Sequence, residues 1–531
     1  MIILDTAVLG HYDQKARWQS VSDNTPPAAV PAAGEEDEAP ELSLDPTDWE
    51  SFRLCAHAAL DDAIEFVRTA RQRPVWQSVP ERVRIALSGS VPESGQDLDA
   101  VYREFRDLIL PYGTGNTHPR FFGWVHGTGL ASGIVAEMLA AAMNANCGGR
   151  DHGAIYVERA VLDWFKELFG LPVSSSGLLV SGTSMANLIA MTVARNARAA
   201  GQMRLNGVSE YPRQLVAYAS TETHDSVVKA MEILGIGARY LRKIPTDDQF
   251  RMDLQALRDS IVDDRNSGLE PFCIVGTAGT VNTGAIDDLD GLANLSTAEK
   301  IWFHVDGAFG GLCVLSEALR PRLKGIDRAD SIAFDFHKWM HVPYDAGCVL
   351  VRHGDLHRSA FSTRPPYLGE LPRGLAGGAY WPCDFGPELS RGFRALKIWF
   401  AIKQHGTRRF GQLIAQNCAQ AQYLAEQIGR EPELELLAPV SLNIVCFRYR
   451  TAGFDDAALD DLNAEVVQDL HESGIAAPST TQVRGRLAVR VNITNHRSRR
   501  ADFDILLSAV LAAGRRRAGC ADRWPRNSGL R

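Results

Sequence analysis

Between about residues 177 and 352 the chain alternates short, almost continuously apolar runs with longer stretches of helical spacing. GLLVSG precedes MANLIAMTVARNARA, LVAYAS precedes SVVKAMEILG, and PFCIVGTAG, IWFHVDGA, SIAFDF and GCVLVR follow. Strands apolar on both faces and separated by helices predict a mostly parallel sheet covered by helices on both sides. In such sheets functional residues collect at the carboxyl ends of the strands. Upstream, apolar residues recur at helical spacing in DPTDWESFRLCAHAALDDAIEFV behind an Asp or Thr cap, so structure is expected to begin near residue 46. Downstream, RGFRALKIWFAIKQHG opens a long helix that leads to a second α+β region holding SLNIVCFRYR and LAVRVNITN. The Pro- and Gly-crowded SAFSTRPPYLGELPRGLAGGAYWP has no clear period and reads as a lid loop.

This pattern divides the chain into a leader (1–45), an N-terminal helical segment (46–125), a large α/β domain (126–400), a small C-terminal α+β domain (401–515) and a basic tail (516–531). The leader, with TPPAAVPAAGEEDEAPELSLDPT, is too rich in Pro, Ala and acid to bury a core. Arg515, Arg516 and Arg517 open the tail and are expected to be a solvated end.

Composition narrows the function classes. At 531 residues and 45% hydrophobic the chain can bury a large core. Its net charge of −8 argues against general affinity for nucleic acid or anionic membrane, and no uncharged apolar run reaches membrane-spanning length. The nine cysteines are scattered without CxxC pairs, and MIILDTAVLGHYDQ lacks a basic start, so a reducing cytoplasm is expected.

Candidate chemistry sits just beyond the strand-like runs. In LLVSGTSMANLI the strand breaks at Gly182 and a helix starts near Ser184 or Met185, which leaves N–H groups free for a phosphate or for ordinary capping. Asp306 in IWFHVDGAFGG could cap a helix or hold a proton on a ring nitrogen, with Gly307 and Ala308 leaving room for a flat ring. His224 in TETHDS is a satisfied core histidine or a ring-stacking one, and Thr280 with Asn282 forms a hydrogen-bonded turn or lines a site. Lys338 in FDFHKWMH is either a surface lysine with a packed stem or a buried amine kept partly neutral to condense with a carbonyl. His337 and His341 stand four apart but lack the intervening glutamate of HExxH and a third ligand, so no metal site is expected. A phosphate cradle, a stacking histidine, a carboxylate and a lysine at one sheet edge together describe a pyridoxal phosphate site.

In the order SGTSMAN, TETHDS, TAGTVNTGAIDDL, WFHVDGAFGG and ADSIAFDFHKW, the chain resembles the group II pyridoxal phosphate-dependent amino-acid decarboxylases. The resemblance implies the aminotransferase-like (fold type I) α/β architecture, pyridoxal 5′-phosphate carried on Lys338, and a homodimer with its active site at the subunit interface. It implies Thr183, Ser184 and Met185 at the phosphate, Thr280 beside the cofactor, His224 and Ala308 on its two faces, and Asp306 on the pyridine nitrogen. Asp335 and His337 would also contact the cofactor, although many relatives carry Asn-Pro where this chain has Asp335-Phe336. Tyr367 in RPPYLGE matches the family's catalytic loop tyrosine, where aldehyde-forming relatives commonly have phenylalanine. Residues 116–127, NTHPRFFGWVHG, resemble the segment lining the side-chain pocket, so Phe122, Trp124, Val125 and His126 are expected against the substrate. Aromatic walls favour an aromatic or otherwise hydrophobic L-amino acid, converted to its amine and carbon dioxide. Aldehyde synthesis and an acidic substrate are the alternatives.

Overall fold

The computed structural model describes residues 42–363, 371–378 and 380–519. The chain forms two units. In the first, which ends at Arg53, the Asp48 carboxylate accepts from the Glu50 and Ser51 N–H groups at 3.0 and 3.1 Å and so provides the expected helix cap. The second, Leu54–Arg531, carries two sheets and everything described below.

The strands in chain order are β1 (Phe121–Phe122), β2 (Ser176–Val180), β3 (Leu215–Ser220), β4 (Leu241–Ile244), β5 (Glu270–Thr277), β6 (Trp302–Asp306), β7 (Ser331–Asp335), β8 (Gly347–Val351), β9 (Leu434–Leu436), β10 (Ile444–Tyr449), β11 (Ala477–Val483) and β12 (Arg486–Asn492). Seven form the large sheet in the order β2-β8-β7-β6-β5-β3-β4. All neighbours pair in parallel except β8, which runs antiparallel to both β2 and β7. β3, β5, β7 and β8 are buried at every position, as a sheet with helices on both faces requires. The edge strand β4, LRKI, is buried only at its two ends and gives no apolar run to find in the sequence.

The small sheet has the order β1-β11-β12-β10-β9. Its first strand comes from far upstream: Phe121 and Phe122 pair in parallel with Ala477 and Pro478. The expected boundary at 400 falls inside the helix Arg394–Arg430, which breaks at Gly406, where φ is 68°. The three C-terminal arginines do not form a free end. They lie on the helix Arg500–Gly519, where Arg515 pairs with Glu433, Arg516 with Asp469, and Arg517 with Glu465 and Asp469. The run is largely exposed and ordered, and it pairs with acids from the turn before β9 and from the helix Asp456–Glu472. Among the described residues no helix is long and apolar enough to cross a membrane.

Candidate active site

A cavity of about 390 Å³ opens where the carboxyl ends of β5, β6 and β7 meet residues 124–126 and the strands β11 and β12. Parallel pairing explains the convergence, because it brings the ends of β5, β6 and β7 to one edge.

Asp306 ends β6 and is 3% exposed. Its Oδ1 accepts the Ala308 N–H at 3.1 Å and its Oδ2 accepts from Asn187 Nδ2 at 2.9 Å. Both of these donors are neutral. His224 is the N-cap of the helix Asp225–Ile233, and its Nδ1 accepts the Ser226 N–H at 3.0 Å. In the neutral ring the proton is therefore on Nε2.

The helix Thr183–Arg198 starts directly after β2 and Gly182, and its first turn has N–H groups without intrahelical acceptors. One of them, the Thr183 N–H, donates to Asp335 Oδ1 at 2.7 Å. Asp335 also lies 3.0 Å from Lys338 Nζ, so one buried carboxylate ties the helix start to the lysine. Lys338 stands on the short helix Phe336–Trp339 after β7. It is not the fully buried amine considered above: its side chain is 21% exposed and has a carboxylate partner. Backbone packs closely around it, since a Cβ at Gly127 would lie 1.8 Å from the His337 carbonyl oxygen and one at Gly347 2.5 Å from Gly182 Cα. His337 Nδ1 accepts the Ala346 N–H at 3.1 Å, and burial lowers its pKa.

Of the residues expected at the site, Lys338, Thr183, Ser184, His224, Asp306, Ala308, Asp335, His337, Trp124, Val125 and His126 line the cavity. Three do not. Phe122 turns into the C-terminal domain, with its ring 5.6 Å from that of Phe503, because alternation along β1 sends adjacent side chains to opposite faces. Phe121 takes the other face and stacks on His126 at 5.6 Å, and His126 stacks on Trp124 at 5.7 Å. Burial, with the charge of Lys338 second, lowers the His126 pKa. Met185 packs against the apolar cluster around Val180 and Ile189. Thr280 is fully buried and holds a turn, its hydroxyl 3.0 Å from that of Thr283 and accepting the Ala285 N–H at 3.0 Å. Tyr367 lies outside the described residues.

The C-terminal wall contains a residue that sequence reasoning missed. Arg490, on β12, is 2% exposed and lines the cavity. Its Nε and Nη2 donate to the Val281 carbonyl, and its Nη1 donates to the Trp124 carbonyl at 3.0 Å and Ser479 Oγ at 3.3 Å. None of these acceptors is charged, and burial pushes its pKa down to about 10. The only sequence sign was an arginine at an inward position of an otherwise apolar strand, LAVRVN.

The donor set suits a flat phosphorylated pyridine aldehyde. Thr183 Oγ1 and Thr277 Oγ1 are buried without a hydrogen-bond partner at the cavity wall, where phosphate oxygens would satisfy the former. The helix N-terminus favours an anion, Lys338 supplies an amine, and Asp306 supplies a carboxylate for a ring nitrogen.

Comparison with known proteins agrees with this chemistry. Residues 80–450 match the model of the pyridoxal-dependent decarboxylase conserved domain. An aromatic-L-amino-acid decarboxylase of Bacillus atrophaeus is 34% identical over 453 residues, covering 85% of this chain and 92% of the relative. A phenylacetaldehyde synthase of Arabidopsis thaliana is 28% identical over 466 residues, covering 85% and 93%. The crystal structure of Oryza sativa TDC with PLP and tryptamine superposes with a TM-score of 0.82 at 26% identity, covering 89% of this chain and 99% of that one.

Proposed function

From the premise that this chain belongs to the pyridoxal-dependent decarboxylase family and is a PLP-dependent amino-acid decarboxylase, we propose that it converts an aromatic L-amino acid to its amine, with Lys338 carrying the cofactor. The observation that supports this most is the meeting of Lys338, Asp306, His224 and the Thr183 helix start at one cavity walled by Trp124 and His126.

When bound, the cofactor supplies an electron sink for the pair left behind by the departing carboxylate. The residues divide the remaining work. Thr183 and Ser184 would hold the phosphate, Asp306 would keep a proton on the ring nitrogen, and His224 and Ala308 would contact the ring. Tyr367 delivers the proton to the substrate Cα, which directs the reaction to the amine and away from the aldehyde made by synthases such as the Arabidopsis relative.

Arg490 supports the choice of side chain. Four of its N–H groups are taken by Val281, Trp124 and Ser479, and a guanidinium has five. The one left suits the single α-carboxylate of a neutral amino acid. Glutamate or aspartate would bring a second carboxylate into the cavity, where an unpaired buried charge costs several kcal/mol.

A homodimer belongs to the same reading. The helix Leu98–Leu108 has no buried residue and exposes Leu98, Val101 and Phe105, and the helix Ala131–Met143 exposes Val135, Met138, Leu139 and Met143. A cytoplasmic location fits the described cysteines, all of them free thiols.

Product analysis tests the proposal. The protein, reduced with borohydride, is expected to carry a pyridoxyl label on Lys338, and the unreduced enzyme to turn over tryptophan, tyrosine or phenylalanine far better than glutamate or aspartate. A label on another lysine, or preference for an acid, would overturn it.

A further inference from the structure

The side chains behind Asp306 form a hydrogen-bonded chain whose direction can be read from its ends. The Trp302 indole N–H can only donate, and it donates to Ser331 Oγ at 2.8 Å. The Ser331 O–H is then free to donate to His304 Nδ1, 2.9 Å away. At the other end the Asp306 carboxylate can only accept, so Asn187 turns Nδ2 toward it and Oδ1 toward His304, whose proton is then on Nε2 and donates to Asn187 Oδ1 at 3.0 Å. His304 is fully buried, and burial pushes its pKa down to about 4, so the ring is neutral and brings no cation toward Asp306. With Oδ1 committed as acceptor, the Asn187 amide has one orientation. Its Nδ2 donates to Asp306 Oδ2 at 2.9 Å and to Ser226 Oγ at 3.0 Å. The Ser226 O–H in turn donates to His224 Nδ1 at 2.9 Å.

We propose that Asn187 is a positioning residue that sets both ring contacts of the cofactor at once, Asp306 at the nitrogen and His224 at the face. The proposal rests on those two assignments from the reading above. Asn187 is fully buried and does not line the cavity, so it acts only through its neighbours. One amide hydrogen holds Asp306 Oδ2 at 2.9 Å and so sets the carboxylate's direction toward the ring nitrogen. The other is accepted by Ser226 Oγ, so that the Ser226 O–H joins the Ser226 backbone N–H at His224 Nδ1 and holds the ring in place with Nε2–H as its remaining donor. His304, anchored by Ser331 and Trp302, prevents the amide from turning over.

The test uses full-length enzyme reconstituted with cofactor labelled with ¹⁵N at its ring nitrogen, and with ¹⁵N-labelled histidine to follow His224. Asn187→Ala is expected to move the ring-nitrogen resonance toward the unprotonated form and to shift the His224 Nδ1 resonance, the proton staying on Nε2 because the Ser226 N–H still donates to Nδ1. It should lower kcat about 10- to 100-fold, the worth of one charge-assisted hydrogen bond, with KM within about threefold. Ser226→Ala cuts one arm only, so it should move the His224 signals and leave the ring nitrogen unchanged. Because Asn187 is buried, a second pair of variants guards against a folding defect. His304→Phe removes the donor that holds the amide and should move the ring-nitrogen resonance in the same direction, whereas His304→Gln keeps an N–H and should restore it. Unmoved ring-nitrogen signals in both Asn187→Ala and His304→Phe would overturn the inference. If Asp306→Asn leaves that signal unmoved as well, the assignment of Asp306 fails instead.

Discussion

Replacing Arg490 with methionine removes the guanidinium and keeps much of the side chain's length. If the remaining N–H holds the substrate α-carboxylate, the loss is one hydrogen bond to a charged group, about 1.5–3 kcal/mol. At about 1.4 kcal/mol per tenfold, substrate binding should weaken roughly 10- to 150-fold. The same substitution strips donors from the Val281 and Trp124 carbonyls, so a change in KM alone would not separate recognition from scaffolding. The amine product separates them, because it has the aromatic side chain and lacks the carboxylate. Inhibition constants of the amine and dissociation constants of the matching 3-arylpropionate, which keeps the carboxylate but has no amine to condense with the cofactor, should be measured for wild type, Arg490→Met and Arg490→Lys. The expected result is an amine constant within about threefold of wild type and a much weakened arylpropionate, partly recovered by lysine, whose ammonium also presents donors. Equal weakening of both ligands would refute the role, and Arg490 would then be only a prop for the Val281 and Trp124 backbone.

Asp306→Ala should lower kcat by on the order of 10²- to 10⁴-fold while cofactor affinity, measured by absorbance titration of apoenzyme, falls by less than about tenfold; full activity would sink the assignment. Tyr367→Phe removes a proton donor with little change in volume, so product analysis should show aldehyde, ammonia and peroxide or abortive transamination in place of amine, and an unchanged amine yield would assign the proton to another group.

The elements most legible in the sequence were those whose cause is local. A buried strand must be apolar along its length, so six strands of the large sheet stood out, and the residues just past them, Asp306 and Lys338 among these, line the cavity. What remained hidden depends on partners far away in the chain. Arg490 reads as a site residue only once β12 is known to face the ends of β5 and β6. Arg515, Arg516 and Arg517 looked like a free basic end because Glu433, Glu465 and Asp469 lie far from them in the chain. Phe121 and Phe122 could not be sorted because the register of a two-residue strand is set by its pairing with β11, not by its own pattern. His304 was within reach: it lies two residues before Asp306 on the same strand, so the two side chains share a face.

The pairing of β1 with β11 also bears on when the cavity can form. Trp124 and its hydrogen-bond partner Ser479 are separated by 355 residues. A ribosome adding about 5–20 residues per second needs about 20–70 s to cross that interval. The large sheet, complete only once β8 has been made at Val351, can assemble with its cofactor lysine in place in the later part of that time, and throughout it Phe121, Trp124 and His126 have no β11 or β12 to lie against. Loading of the cofactor into a closed site is therefore a late event in the life of each chain, and a nascent chain arrested before β11 would present these aromatic side chains to chaperones or to its neighbours.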